Sequence, residues 1–178
     1  METIESIILA SHFWEGLAPE FVSIVAETAS LSRYGVGELI FRERQEAEEL
    51  QIVHRGKVAI ETFVPGRGVV VLRMLGPGDA LGWAWLIAPY RWQYSARSVD
   101  TTEIISFRAS ALRRQAELNP AFGKDLVTRT AQVLLQELDA TRQKLREFRD
   151  TEVGRRIDEC LGEAGADDEI PPNADKPS

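Results

Sequence analysis

A single cysteine, Cys160, is all the thiol this chain has. That excludes an internal disulfide framework, a paired-cysteine zinc site and an iron–sulfur set. Histidine is nearly as scarce. His12 closes an apolar helical stretch and His54 sits in a strand just before a turn, neither with a partner at catalytic spacing. No Ser–His–Asp spacing, nucleophile elbow, Walker loop or metal-ligand run occurs, so neither an enzyme nor a metal protein is expected. Long apolar runs are missing as well, and with them any membrane helix. Met1 to Leu9 carries acids where a signal peptide carries basic residues, so a cytoplasmic location is expected. Lysine and arginine number 21 against 28 acids, a net charge of −7, which argues against a general nucleic-acid or anionic-membrane binder. There is no internal repeat.

What is present fits one domain and a tail. The chain has 178 residues, 44% of them hydrophobic, enough for an ordinary core. Ile4, Ile7, Ile8 and Phe13 recur at helical spacing and predict a helix over 3–13. A second starts at Ala18-Pro19-Glu20 and exits at Ser30, with Phe21, Ile24 and Val25 on its apolar face. From Leu31 to Phe107 the period shortens. Apolar runs at 39–41, 51–55, 58–63, 69–75, 94–99 and 103–107 are separated by glycine-, proline- and aspartate-bearing turns. The pattern predicts an antiparallel β-barrel or jelly roll, mainly β with flanking helices, of eight strands. The runs on either side of Gly56-Lys57, and those on either side of Asp100-Thr101-Thr102, read as paired strands. Glu43, Glu46, Glu48 and Glu49 read as a solvated hairpin connection.

One stretch interrupts this pattern. Gly76-Pro77-Gly78-Asp79 is a turn signal, and Gly82 leads into the apolar segment Trp83 to Ala88, which Pro89 stops. Three of the four tryptophans fall within ten residues here, interleaved with Arg91 and Arg97. A glycine-led turn entering a short helix presents backbone N–H groups that suit an anion, and an arginine nearby completes a phosphate site. Gly82, Trp83, Ala84, Trp85, Arg91, Trp92, Ser95 and Arg97 are therefore the candidate ligand-binding residues. The plainer reading makes the aromatics core.

Helical periodicity returns over Ala109–Leu118 and again from about residue 121 to 148. In the second helix Val127, Ala131, Leu134, Leu138, Thr141, Leu145 and Phe148 follow a 4, 3, 4, 3, 4, 3 spacing. That is a coiled-coil seam and predicts a parallel homodimer. Phe122, Leu126 and Val133 lie off the seam and are expected to face the barrel. Glu137 and Arg142 sit at flanking positions that can pair between parallel helices. Residues 151–178 read as a short helix and an acidic, proline-bearing disordered tail.

Taken together, Gly37-Glu38-Leu39-Ile40-Phe41-Arg42-Glu43, Leu50-Gln51-Ile52-Val53, Gly56-Lys57-Val58, Leu75-Gly76-Pro77-Gly78-Asp79-Ala80-Leu81-Gly82 and Ser95-Ala96-Arg97-Ser98 resemble the cyclic-nucleotide-binding domain of the cAMP-receptor-type (Crp/Fnr) regulators. The resemblance covers residues 1 to about 150. It implies that the Gly82 stretch is the family's phosphate-binding cassette.

The cassette departs from that pattern. The family glutamate that bonds the ribose 2′-hydroxyl falls at Trp83, and the family arginine that holds the cyclic phosphate falls at Trp92, with Arg91 one place away. A glycine usual in the first hairpin is Arg44. Losing both polar contacts removes several kcal/mol, so cAMP is expected to bind with a Kd of about 10 μM or weaker. The strings Gly82-Trp83-Ala84-Trp85-Leu86 and Pro89-Tyr90-Arg91-Trp92 resemble short stand-alone members of the family. Family regulators carry a helix-turn-helix domain after the long helix. Asp150 to Ile157 resembles its start, but the acidic stretch that follows is too short for a recognition helix, so direct DNA binding is not expected. The expected function is a non-catalytic, ligand-sensing regulatory domain for a cyclic nucleotide or another phosphate-bearing small molecule. The alternative is a ligand-free dimeric module that binds a protein partner, and a transcriptional regulator is the remote third reading.

Overall fold

The computed structural model describes residues 3–149 and 151. The described residues fall into two units, one up to residue 140 and one from residue 141 on. Helix α1 (Ile4–Ala10) opens on a capping box, in which the Ser6 N–H donates to Thr3 Oγ1 and the Thr3 N–H donates to Ser6 Oγ. It stops earlier than the predicted 3–13 helix, and His12–Trp14 form a separate 3-10 turn. Helix α2 (Pro19–Ala26) carries its proline at the start, where the missing N–H has no intrahelical acceptor to lose.

Seven strands follow: β1 (Ala29–Tyr34), β2 (Leu39–Phe41), β3 (Glu49–Arg55), β4 (Val58–Val64), β5 (Gly68–Leu75), β6 (Ser95–Ser98) and β7 (Thr102–Arg108). They form two antiparallel sheets, ordered β1-β7-β3 and β2-β6-β4-β5. In the first, Ile105 pairs with Leu31 on one side and Ile52 on the other; in the second, Ile60 pairs with Ala96 and Arg73. The arrangement is a jelly roll with flanking helices.

Two expected pairings are corrected. Strands β3 and β4 lie in different sheets, as do β6 and β7, so Gly56-Lys57 and Asp100-Thr101-Thr102 are crossovers and not hairpins. Alternation along a strand fixes which face is buried but not which strand lies beside it. The two crossovers lock together: the Lys57 N–H donates to Asp100 Oδ1 at 2.8 Å, and the Lys57 carbonyl accepts from Val99 N–H at 2.8 Å and Thr102 Oγ1 at 3.1 Å. The described strands number seven, and not eight. Residues 76–82, which open on the expected turn, run along the free edge of β3 with one β-bridge, Ile52 to Ala80.

Helix α3 (Ala109–Leu118) leads through Asn119 into α4 (Pro120–Arg149). Asn119 Oδ1 accepts from the Ala121 and Phe122 N–H groups and so caps the long helix. Phe122, Leu126, Thr130 and Val133 form its buried stripe. Trp14, Trp85, Phe107 and Phe122 are fully buried. Edge-on contacts join Phe13 to Trp14 with centroids 4.8 Å apart and Trp14 to Phe107 at 5.6 Å. Large rings dominate the area a core of this size removes from water. On the outer side of α4, Val127, Ala131, Leu134, Leu138, Thr141 and Leu145 are exposed and Phe148 is half-buried. Apart from Thr151, the segment predicted as a short helix and tail lies outside the described residues.

Candidate functional site

The cassette is fastened at both ends. At its start the Gly78 N–H donates to the Val53 carbonyl at 2.8 Å, the Val53 N–H to Asp79 at 3.0 Å and the Leu81 N–H to Gln51 at 2.8 Å. At its end residues 90–92 bridge to the β2–β3 connection: Ala47 N–H to the Tyr90 carbonyl, Trp92 N–H to Gln45 and Arg44 N–H to Trp92. The acidic stretch around Glu46 thus holds the cassette as well as connecting strands.

Between these anchors the expected short helix does not form. Residues 83–86 make one turn, closed by Leu86 N–H to the Trp83 carbonyl at 3.1 Å. A second, separate turn follows at residues 87–90, closed by Tyr90 N–H to the Ile87 carbonyl at 3.1 Å, with Tyr90 at φ +55°. Among the described residues no acceptor takes the backbone N–H groups of Trp83, Ala84 or Trp85.

The candidate residues part company here. Trp85 is fully buried and Ala84 is buried beside it. The Trp85 carbonyl accepts from Arg113, whose guanidinium also lies 4.3 Å from the Tyr90 ring centre. Trp92 is buried and stacks on Phe41, centroids 3.9 Å apart and planes 9° from parallel. Ser95 Oγ accepts from the Glu43 N–H at 3.0 Å. Neither arginine turns toward Gly82. Arg91 donates to the Arg44 carbonyl at 3.0 Å and to Glu46 Oε1 at 3.2 Å. Arg97 holds Glu61 at 2.8 Å and donates to the Gly37 carbonyl, also at 2.8 Å.

The group that does meet the cassette is Glu137 of α4. Trp83 Nε1 donates to Glu137 Oε2 at 2.7 Å, and the Tyr94 hydroxyl donates to Glu137 Oε1 in a short hydrogen bond. Gly82 backs this contact at φ +155°. A Cβ there would fall 2.8 Å from Tyr94 Oη, 3.0 Å from the Trp92 ring and 3.5 Å from Glu137 Oε1, so only glycine fits. Burial pushes the Glu137 carboxyl up to about 7, against the downward pull of the Tyr94 and Trp83 hydrogen bonds and the Arg73 charge. Burial, and then the neighbouring carboxyl, push the Tyr94 hydroxyl well above its ordinary value. Arg73 on β5 donates to Gln136 Oε1 at 3.0 Å, one residue from this pair.

Neither Glu137 nor Tyr94 was a predicted site residue. Glu137 reads in sequence as a dimer-flanking charge, and the structure turns it inward instead. Its spacing of four from Val133 and seven from Thr130 continues the buried stripe, and a charged residue on that stripe is the signal.

Residues 31–119 match the cyclic nucleotide-binding domain family. Among curated relatives, a CRP-like cAMP-activated global transcriptional regulator of Mycobacterium tuberculosis is 23% identical over 154 residues, 86% of this chain and 67% of its own. Among solved structures, a protein from Geobacter metallireducens named for cyclic nucleotide binding is 26% identical with a TM-score of 0.66, covering 78% of this chain and 99% of that one. The Thermus thermophilus catabolite activator protein is also 26% identical, at a TM-score of 0.61, over 75% of this chain and 62% of its own.

Proposed function

The chain belongs to the cyclic nucleotide-binding domain family, and we propose that it serves as a non-catalytic, dimeric ligand-sensing domain of the cytoplasm with weak affinity for cAMP. One observation carries this reading. The cassette bonds directly to the long helix through Trp83 and Glu137, so whatever moves the cassette also moves the helix. The same helix presents the outward seam of Val127, Leu134, Leu138 and Leu145, whose exposure supports its use between two copies. A ligand therefore acts by changing how the cassette sits on the helix, and the dimer relays that change.

The weak affinity follows from the commitments of the two arginines. Arg91 and Arg97 already hold Glu46 and Glu61, so no arginine of the cassette is spare for a phosphate at Gly82. Gly82 and the N–H groups of Trp83, Ala84 and Trp85 remain the proposed anion cradle. Titration calorimetry with cAMP tests the reading, with a Kd of ~10 μM or weaker expected. Submicromolar binding overturns it. The second reading, a ligand-free module, is favoured by the carboxyl already seated at the cassette. It predicts no heat from cAMP at any concentration together with an intact dimer. The net charge of −7 speaks against direct DNA binding in either case.

A further inference from the structure

A carboxyl group in the middle of an anion-binding element is an unusual neighbour. Both Glu137 oxygens are engaged, one by an indole N–H and one by a phenol O–H. The two donors come from either side of the cassette, Trp83 just after Gly82 and Tyr94 just before β6. Gly82, the residue whose missing side chain opens this spot, lies against the same oxygen. The helix delivers the group from within its buried stripe, one turn beyond Val133, so the packing of Phe122, Leu126 and Val133 fixes where the carboxyl arrives. Both donors are uncharged, and Arg73, whose charge acts on Glu137, is bonded to Gln136. Such a donor set suits a carboxyl, which an indole and a phenol can satisfy without a guanidinium.

We propose that Glu137 is the resident occupant of the cassette: its carboxyl stands in for the ligand, and an anion reaches Gly82 only by expelling it. The reason is elementary. A Cβ built at Gly82 would stand 3.5 Å from Glu137 Oε1, so an anion seated there meets the carboxylate at contact, and like charges at contact repel each other. Glu137 is then the residue that sets which ligands the site accepts, and Trp83 and Tyr94 position it. This rests on the reading of the cassette as the ligand site.

The experiment uses the full chain, labelled with nitrogen-15, with cAMP as the probe. The Trp83 indole resonance is assigned by Trp83→Phe and compared in wild type, Glu137→Ala and Glu137→Gln, while calorimetry gives the cAMP affinity of each. The expected result is a displaced Trp83 resonance in both variants and at least tenfold tighter cAMP binding in Glu137→Ala. Glu137→Gln keeps the side-chain volume and carries the test if the alanine variant does not fold; its gain is smaller but in the same direction. An unmoved Trp83 resonance overturns resident occupancy and leaves the weak-affinity reading standing. A moved resonance without any gain in affinity overturns expulsion. Submicromolar wild-type binding that carries the resonance to its Glu137→Ala position overturns weak affinity and supports expulsion.

Discussion

Trp83 and Glu137, 54 residues apart in sequence, are joined by a 2.7 Å hydrogen bond from indole Nε1 to carboxyl Oε2. Trp83 is only partly buried, while Trp85 and Trp92 beside it are buried. Of the cassette tryptophans it alone spends its polar atom on the long helix. Removing that atom isolates the bond. Trp83→Phe is expected to cost about 1–3 kcal/mol, the range for stranding a half-buried polar partner. Thermal unfolding of the two proteins at pH 8 checks this, and an unchanged midpoint contradicts it.

The raised Glu137 carboxyl makes stability depend on pH with a definite sign. Its ordinary value is 4.5 and its folded value about 7, so the folded state holds the proton more tightly than the unfolded state. Its contribution is therefore complete below pH 4.5 and is lost as pH rises through about 7. The full span is at most a few kcal/mol, since each tenfold gain in proton affinity is worth about 1.4 kcal/mol. Tyr94 and Arg73 both act on it, and the Tyr94 hydroxyl, pushed further above its ordinary value, keeps its proton across this window. Glu137→Gln should flatten this dependence. Unfolding midpoints of wild type and variant at pH 5 and pH 8 measure the difference, and parallel curves refute the assignment.

The seam on α4 is tested by charge. Leu138→Lys places an ammonium among apolar side chains that would face their copies in a partner helix. Sedimentation should show a dimer for wild type and a monomer for the variant at micromolar concentration. A monomeric wild type refutes the seam.

Arg44 sits at φ +69°, a left-handed conformation in the β2–β3 connection. A non-glycine residue there costs roughly 1–2 kcal/mol, part of which glycine gives back as lost chain entropy. Arg44→Gly is expected to raise stability by about 0.5–1 kcal/mol while keeping the Arg44 carbonyl bond to Arg91, because that acceptor is backbone. A lower midpoint on melting would show that the Arg44 side chain matters more than its backbone.

Much of the fold is written locally. The strand at 39–41, the helix at 109–118 and the long helix with Phe122, Leu126 and Val133 inward all follow from apolar period and turn residues. Strand partners do not, because β3 and β4 alternate in the same way whichever sheet receives them. The cassette shows the same boundary between local and distant information. Its glycine turn and its aromatic load are legible in order. The engagement of Arg91 by Glu46 depends on a connection 45 residues away, and the seat of Glu137 on a helix 54 residues away. No window of the sequence holds either pair. The composition of Trp83–Ala88 suits a short helix, but the chain makes two separate turns there, 83–86 and 87–90.

The two anchors of the cassette have a mechanical consequence. A rope tied at both ends can sway only between its knots. Here the knots are the β3 edge, tied to residues 78, 79 and 81, and the Glu46 connection, tied to residues 90 and 92. The slack is the span 83–89, and its one described side-chain tether to the long helix is the Trp83 indole. A tug on that line reaches α4 directly, while the Trp85 carbonyl, held by Arg113, ties the same slack to α3.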